Sequence, residues 1–378
     1  MTNWYYIIVG YFSLFVFGFL DNTRGPYFPD ITNDLSLTDT QASLFFAVAS
    51  FLAVISGRMV PWWIEKIRLL NVMRMGLILL TVSVVGYSKS TSLIELIVYT
   101  SFFGYGFGLI NVGQNLLIIR GSGDHNRRQL ISGLHSTYAM AALIAPLVVG
   151  FLTDFGWTWR DGFYSFAALS FLGFLISFIA KTKEGSPVKL DSADIFGWRK
   201  WLPFGLVLSL YVASEVVLAT RYVLLARREF GASESEAVLQ LAGLFALLLV
   251  GRLSFTFFPF KKWSNKIIIL SALVLSLTSF TLGLAVSHWF LILCGLTMAP
   301  VFGIGVEYMA TQFGKDTDRV ISMVLAFSGL FIVAIHWTVG VLSDIFGIGN
   351  AMYAGPFMIL VATVIMWTLP SDRGNKVA

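Results

Sequence analysis

The sequence predicts an all-α integral membrane protein with twelve transmembrane helices in two pseudo-symmetric six-helix bundles. Of its 378 residues, 57% are hydrophobic and only 12% are charged, whereas soluble domains carry about 25% charged residues. Apolar runs long enough to cross a bilayer recur along the whole chain. Short motifs of the first half return in the second half. These three observations together favour a repeat-built, multi-pass membrane protein.

The apolar runs predict where each helix lies. We place the twelve spans near residues 4–31, 38–60, 69–88, 92–119, 129–153, 162–181, 201–228, 234–257, 266–286, 289–313, 320–343 and 351–369. The longest polar segment follows the sixth span. It divides the chain into an N-terminal bundle (1–181), a cytoplasmic linker (182–200) and a C-terminal bundle (201–378).

The basic residues indicate orientation. The net charge is +5, and most Lys and Arg residues lie in short loops at one end of the predicted spans. This is the pattern of cytoplasmic loops, not of a nucleic-acid-binding surface. We therefore expect both termini in the cytoplasm. The first span, without a cleavage site, should be a retained helix in a bacterial-type inner membrane.

Several classes of chemistry have no support in the sequence. The single cysteine, Cys294, lies in an apolar run and cannot form a disulfide framework or a cysteine-based metal site. There is no phosphate-binding loop with a lysine, and no metalloprotease or Ser-His-Asp pattern. We therefore expect neither an enzyme nor a cofactor or metal, and no transport driven by ATP.

Internal repeats link the two halves. Arg58 and Arg252 each follow a glycine at the end of a predicted helix, 194 residues apart, and Asp154 and Asp344 close helices 190 residues apart. We expect these four charges to form gating salt bridges or to complement helix dipoles. A Ser/Thr residue followed by acids also precedes both helix 2 and helix 8, which indicates a helix cap.

Twelve spans in two sets of six, with short loops and inside termini, resemble the major facilitator superfamily over the whole chain. The resemblance implies a secondary transporter whose site lies at mid-membrane between the halves. The family's loop signature between helices 2 and 3 is degenerate here. Gly57-Arg58 begins it, but Trp62, Trp63 and Glu65-Lys66 occupy the stretch where its acid and glycine belong.

Helices 1 and 4 resemble the fucose permease-like sugar symporters. The resemblance rests on two segments: Leu20-Asp21-Asn22 followed by Pro26, and the helix 4 segment from Gly106 to Asn115. In that group an acid stands where this chain has Asn111. The resemblance implies a proton-coupled sugar transporter that lacks the second acid at this position.

Paired charges at membrane depth are the leading functional candidates. Asp21 and Arg24 lie three residues apart on one helix face. The repeat offset carries Asp21 onto Glu215 and places Arg24 one turn short of Arg221. A buried carboxylate can exchange a proton, and a nearby arginine that the substrate competes for would couple this proton to solute. The alternative is that each cluster only stabilises its half.

Amides and a few further residues complete the candidate site. Substrate contacts are predicted for Asn22, Asn111, Gln114 and Asn115, although such amides also join helices. Glu307 is a third candidate for proton coupling. His336 is a candidate for substrate contact or for hydrogen-bonded packing. The tyrosines that could stack on a sugar ring are Tyr105, Tyr138, Tyr211, Tyr222 and Tyr308.

The interpretation is a secondary active transporter that moves a small polar, sugar-like solute by alternating access with proton symport. Two other transport hypotheses stay open: an organic anion transporter that uses Arg24 and Arg221, and a proton-driven exporter of amphipathic compounds. A non-transporting receptor or scaffold is a fourth. The expected partners are the solute, H+ (with Na+ open) and membrane lipids, with no nucleic acid, and the protein should act as a monomer.

Overall fold

The computed structural model describes residues 2–123, 127–180, 197–257 and 263–371. Two compact units divide the chain, Met1–Asp191 (the first unit) and Ser192–Ala378 (the second unit). The first unit contains α1 (Trp4–Asp34), α2 (Asp39–Ile67), α3 (Leu69–Lys89), α4 (Leu93–Gly121), α5 (Arg127–Asp154) and α6 (Trp159–Ile176). The second contains α7 (Trp198–Glu229), α8 (Glu234–Phe257), α9 (Asn265–Ala285), α10 (Trp289–Phe313), α11 (Thr317–Phe346), α12 (Ile348–Ala351) and α13 (Ala354–Thr368).

Among the described residues, twelve helical segments are long and apolar enough to span a membrane, the last of them formed by α12 and α13 together. The predicted all-α fold with twelve transmembrane helices is thus confirmed. Of the predicted linker, residues 182–196 lie outside the described residues. Residues 198–200 belong to the first turn of α7.

The largest difference from the predicted spans is at α2, which was expected to end near residue 60 and continues through Pro61 to Ile67. Packing explains the extension. The indole N–H of Trp63 donates to the Tyr105 hydroxyl of α4 at 2.8 Å, which holds the additional turns against a neighbouring helix. Arg68 alone then separates α2 from α3, with a φ of 68°.

Glycines allow pairs of helices to approach closely. A Cβ atom at Gly104 would lie 2.3 Å from the carbonyl oxygen of Ala49, so that α2 and α4 meet backbone to backbone. In the second unit a Cβ at Gly295 would lie 2.1 Å from the carbonyl oxygen of Leu244, which joins α8 and α10 in the same way. Such contacts are typical of helix packing in membranes.

The caps expected before helices 2 and 8 are present. Thr38 and Gln41 form a reciprocal capping box at the start of α2. At the start of α8, the Ser233 hydroxyl accepts from the Glu236 backbone N–H at 3.3 Å, while the Glu236 carboxylate accepts from the Ser233 N–H at 2.9 Å. Each box satisfies donors that a helix terminus leaves open.

An acid at the end of each unit's first helix ties it to the sixth. Asp34 Oδ2 accepts from Arg160 Nη2 at 2.8 Å and from the Trp159 indole N–H at 3.2 Å, which joins α1 to α6. Glu229, 195 residues later in the sequence, accepts from the Gly349 backbone N–H at 3.2 Å and joins α7 to α12. The repeat is therefore visible in contacts as well as in sequence.

Candidate functional site

The predicted pair on α1 forms. Arg24 Nη1 lies 3.2 Å from Asp21 Oδ1. The two partners differ in exposure, since the Arg24 side chain is 2% exposed and the Asp21 side chain is 26% exposed. The guanidinium is thus enclosed by protein, while the carboxylate has an open side.

Aromatic rings from two neighbouring helices surround Arg24. Its Cζ atom lies 4.3 Å from the ring centroid of Phe45 and 4.7 Å from those of Phe46 and Phe103. Nη2 also donates to the carbonyl oxygen of Phe45. A cation–π contact contributes about 0.5–1 kcal/mol at an exposed site and about 2 kcal/mol or more when it is desolvated. Arg24 therefore has strong partners on α2 and α4 besides its ion pair with Asp21.

The second unit pairs its acid differently. Glu215 Oε1 lies 3.2 Å from Arg252 Nη2, an ion pair between α7 and α8 with side chains 21% and 35% exposed. The sequence had suggested Arg221 as the arginine of this half and Arg252 as a gating residue. Arg221 is buried on α7, and the described ion pair of Glu215 is with Arg252.

A buried tyrosine completes this second group. The Tyr211 hydroxyl contacts Glu215 Oε2 and lies 2.9 Å from the carbonyl oxygen of Met298 on α10. Tyr211 is fully buried and lies one helical turn before the acid. Tyr211 is one of the tyrosines suggested for stacking on a sugar ring. Its hydroxyl instead contacts Glu215, a candidate for proton coupling.

The amides fall into different environments. Asn22 donates to the Gly18 carbonyl oxygen at 2.7 Å and to the Tyr138 hydroxyl at 3.4 Å. Asn115 donates to the Asn111 carbonyl oxygen at 2.8 Å, and the Asn111 residue is itself exposed. Gln114 is buried, and its Oε1 atom has no hydrogen-bond partner among the described residues. Asn111 is thus exposed, Asn22 and Asn115 are partly exposed, and Gln114 is the buried amide of this set.

The remaining candidates are not described partners of the two acids. Arg58, Asp154, Glu307 and Asp344 are exposed, and His336 is buried on α11. None of these residues is among the described ion pairs or hydrogen bonds of the two acids.

Sequence reasoning did not find the aromatic surroundings of Arg24 or the pairing of Arg252 with Glu215. Two signals in the sequence pointed toward the partners of Glu215. Tyr211 lies four residues before Glu215, the spacing of neighbours on one helix face. Arg252 lies on the helix that follows α7 in the chain. No comparable pattern marks Phe45 and Phe103, because the sequence does not show which faces of three helices meet.

Comparison with known proteins identifies the fold and the family. The family model of the Major Facilitator Superfamily matches residues 10–322, and no curated protein sequence matches the chain. A solved D-xylose-proton symporter superposes with a TM-score of 0.79 at 16% identity, covering 99% of each chain. A bacterial homologue of the human lysosomal transporter Spinster gives 0.78 at 16%, covering 96% of each chain. A nucleoside transporter gives 0.77 at 12%, covering 97% of this chain and 98% of that one.

Proposed function

The chain belongs to the major facilitator superfamily, and we propose that it is a proton-coupled symporter for a small, polar, uncharged solute of sugar-like chemistry. Membership makes it a membrane transporter that works by alternating access. The proposal adds the coupling ion and the class of solute. It places the protein in the inner membrane as a monomer among lipids, with both termini in the cytoplasm.

The observation that carries the proposal is the unequal exposure of the α1 pair. Asp21 has an open side, whereas Arg24 is enclosed and is held by three rings and a carbonyl oxygen as well. A proton can therefore reach Asp21 and neutralise it while Arg24 keeps its other partners. An acid that gains and loses a proton without dismantling its surroundings is suited to coupling.

The same geometry gives little support to the organic anion hypothesis. An anion would need a guanidinium that it can reach and that has free N–H donors directed towards it. The Arg24 side chain is only 2% exposed and its guanidinium is stacked among aromatic rings. Arg221 is buried as well. The D-xylose-proton symporter among the structural neighbours shares the fold, and it motivates the choice of sugars as first test solutes.

The test is transport by purified protein in proteoliposomes against a panel of neutral sugars and organic acids, with and without a pH gradient. We expect accumulation of a neutral solute when the outside is acidic. Asp21→Asn should abolish gradient-driven accumulation and retain counterflow, because exchange requires no net proton movement. Glu95→Gln is the matched control. Glu95 is an exposed acid in the first turn of α4. The side-chain amide of the substituted glutamine can keep the hydrogen bonds that cap this helix.

Two results would contradict the proposal. One is uptake that is unchanged without any ion gradient and unchanged in Asp21→Asn. The other is a preference for organic acids that disappears in Arg24→Gln, since this would assign the arginine to an anion. Transport of a neutral sugar should survive Arg24→Gln in any fraction of protein that remains folded.

A further inference from the structure

The hydroxyl of Tyr211 lies between two oxygens that can each accept its hydrogen. Its Oη atom contacts Glu215 Oε2 and lies 2.9 Å from the Met298 carbonyl oxygen. A phenol has one hydrogen, and a carbonyl oxygen can only accept. When Tyr211 donates to Met298, the contact with Glu215 is favourable only if Oε2 carries a proton and donates to the phenol oxygen.

The charged form of the acid also has partners. Arg252 Nη2 lies 3.2 Å from Glu215 Oε1, and Tyr211 can turn its hydrogen towards Oε2. The Met298 carbonyl lies within α10, so it can still accept from its own helix. Each protonation state of Glu215 therefore has a complete set of partners, and the two sets differ by the direction of one O–H bond.

We propose that Tyr211 and the Met298 carbonyl form a proton-dependent switch for Glu215. A proton from water binds Glu215 Oε2, the Tyr211 hydrogen turns from the carboxylate to the carbonyl oxygen, and the ion pair with Arg252 is lost. Loss of the proton reverses each step. The switch rests on the proposed function, to which it adds a second proton-binding group. Tyr211 acts in it as a positioning residue.

Several other titratable groups lie on the helices around α7. They are Glu234, Glu236 and Arg252 on α8, Cys294, Glu307 and Tyr308 on α10, and Asp318, Arg319, His336 and Asp344 on α11; residues 354–368 of α13 contain none. The Cys294 thiol contacts Ser279 of α9. The described hydrogen bonds and ion pairs of Glu215 go to Arg252 and the phenol alone. The proton on Glu215 thus acts on one cation and one hydroxyl.

The first unit cannot make the same switch. At the repeat offset of 194 residues, Asp21 corresponds to Glu215, but Phe17 corresponds to Tyr211. Phe17 has no hydroxyl, and the described hydrogen bond of the Asp21 carboxylate is with Arg24. The two halves therefore hold equivalent acids in different ways, and within the described contacts the phenol belongs to Glu215.

The test is infrared difference spectroscopy of the full chain in lipid during a pH step. Wild-type protein should show the C=O band of a protonated carboxyl group that is lost in Glu215→Gln. In Tyr211→Phe the band should persist at higher frequency, because the acid has lost its hydrogen-bond partner. Tyr222→Phe is the control. Tyr222 is also buried on α7, and its hydroxyl lies 3.4 Å from Gln240, so its removal should leave the band in place.

The outcomes separate the switch from the proposed function. The switch is wrong if Glu215→Gln retains the band, or if Tyr211→Phe and Tyr222→Phe give the same frequency as wild type. Gradient-driven uptake without a Glu215 band would overturn the switch and leave coupling to Asp21. A Glu215 band that shifts in Tyr211→Phe, in a protein that transports independently of the proton gradient, would support the switch and refute proton symport.

Discussion

Replacing Gly295 by alanine tests how closely α8 and α10 approach. The added Cβ would lie 2.1 Å from the carbonyl oxygen of Leu244 and 3.0 Å from the backbone nitrogen of Leu248. Both neighbours are backbone atoms that cannot rotate away. Non-bonded carbon contacts are optimal at about 3.5–4.0 Å, so the two helices would have to move apart by more than about 1 Å.

The magnitude follows from comparison with a second glycine on the same helix. Overpacking of this kind costs about 1–3 kcal/mol. Replacing a helical glycine by alanine also gains about 0.8–1 kcal/mol of helix propensity. A Cβ at Gly303 would meet no atom within 4 Å, so Gly303→Ala should show the gain alone. The free energies of unfolding of the two variants should therefore differ by about 1–3 kcal/mol.

The assay uses the only cysteine in the chain. Cys294 is buried, so a thiol-reactive dye should label it as the second unit unfolds. Gly295→Ala should unfold at a lower temperature than Gly303→Ala, by about 2–4 °C for each kcal/mol. Tryptophan fluorescence provides a second readout, since Gly295 adjoins the labelled residue. If Gly295→Ala unfolds at the same temperature as Gly303→Ala or above it, the close approach of these helices is refuted.

Three further predictions concern the first unit and use thermal unfolding as the measurement. Arg68→Gly should stabilise the protein by about 1 kcal/mol, because a φ of 68° with a ψ of 157° strains any residue except glycine. The control Lys66→Gly, within α2, should destabilise it. An Arg68→Gly variant that is less stable than the wild type would contradict the reasoning. Arg24→Lys should destabilise by about 1–3 kcal/mol, because an ammonium cannot stack on three rings as a guanidinium does; an unchanged unfolding temperature would show that the rings contribute nothing. Asp34→Asn should cost only about 0.5–1 kcal/mol, since its partner Arg160 is 31% exposed, and a larger loss would mean that this clamp is better shielded than its exposure indicates.

The sequence predicted the helices well because membrane spans are set by long apolar runs, which composition shows directly. Its largest error in a span was at the end of α2, where Trp62, Trp63 and the following charged residues suggested a loop. Those residues are helical because Trp63 contacts Tyr105 on another helix. A contact between helices decides where this helix ends, and no local pattern reports such a contact.

The two acid–arginine pairs show the same limit. Asp21 and Arg24 could be paired from sequence because their spacing alone brings them together on α1. Glu215 and Arg221 are six residues apart, which turns them about 240° around the helix axis, so they cannot share a face. At the repeat offset, Leu218 stands where a counterpart of Arg24 would be. Without an arginine on the same face of its own helix, Glu215 forms its ion pair with Arg252 of α8. The repeat thus predicts where each acid lies, while the residues around it decide its partner, and that partner decides how the acid can respond to a proton.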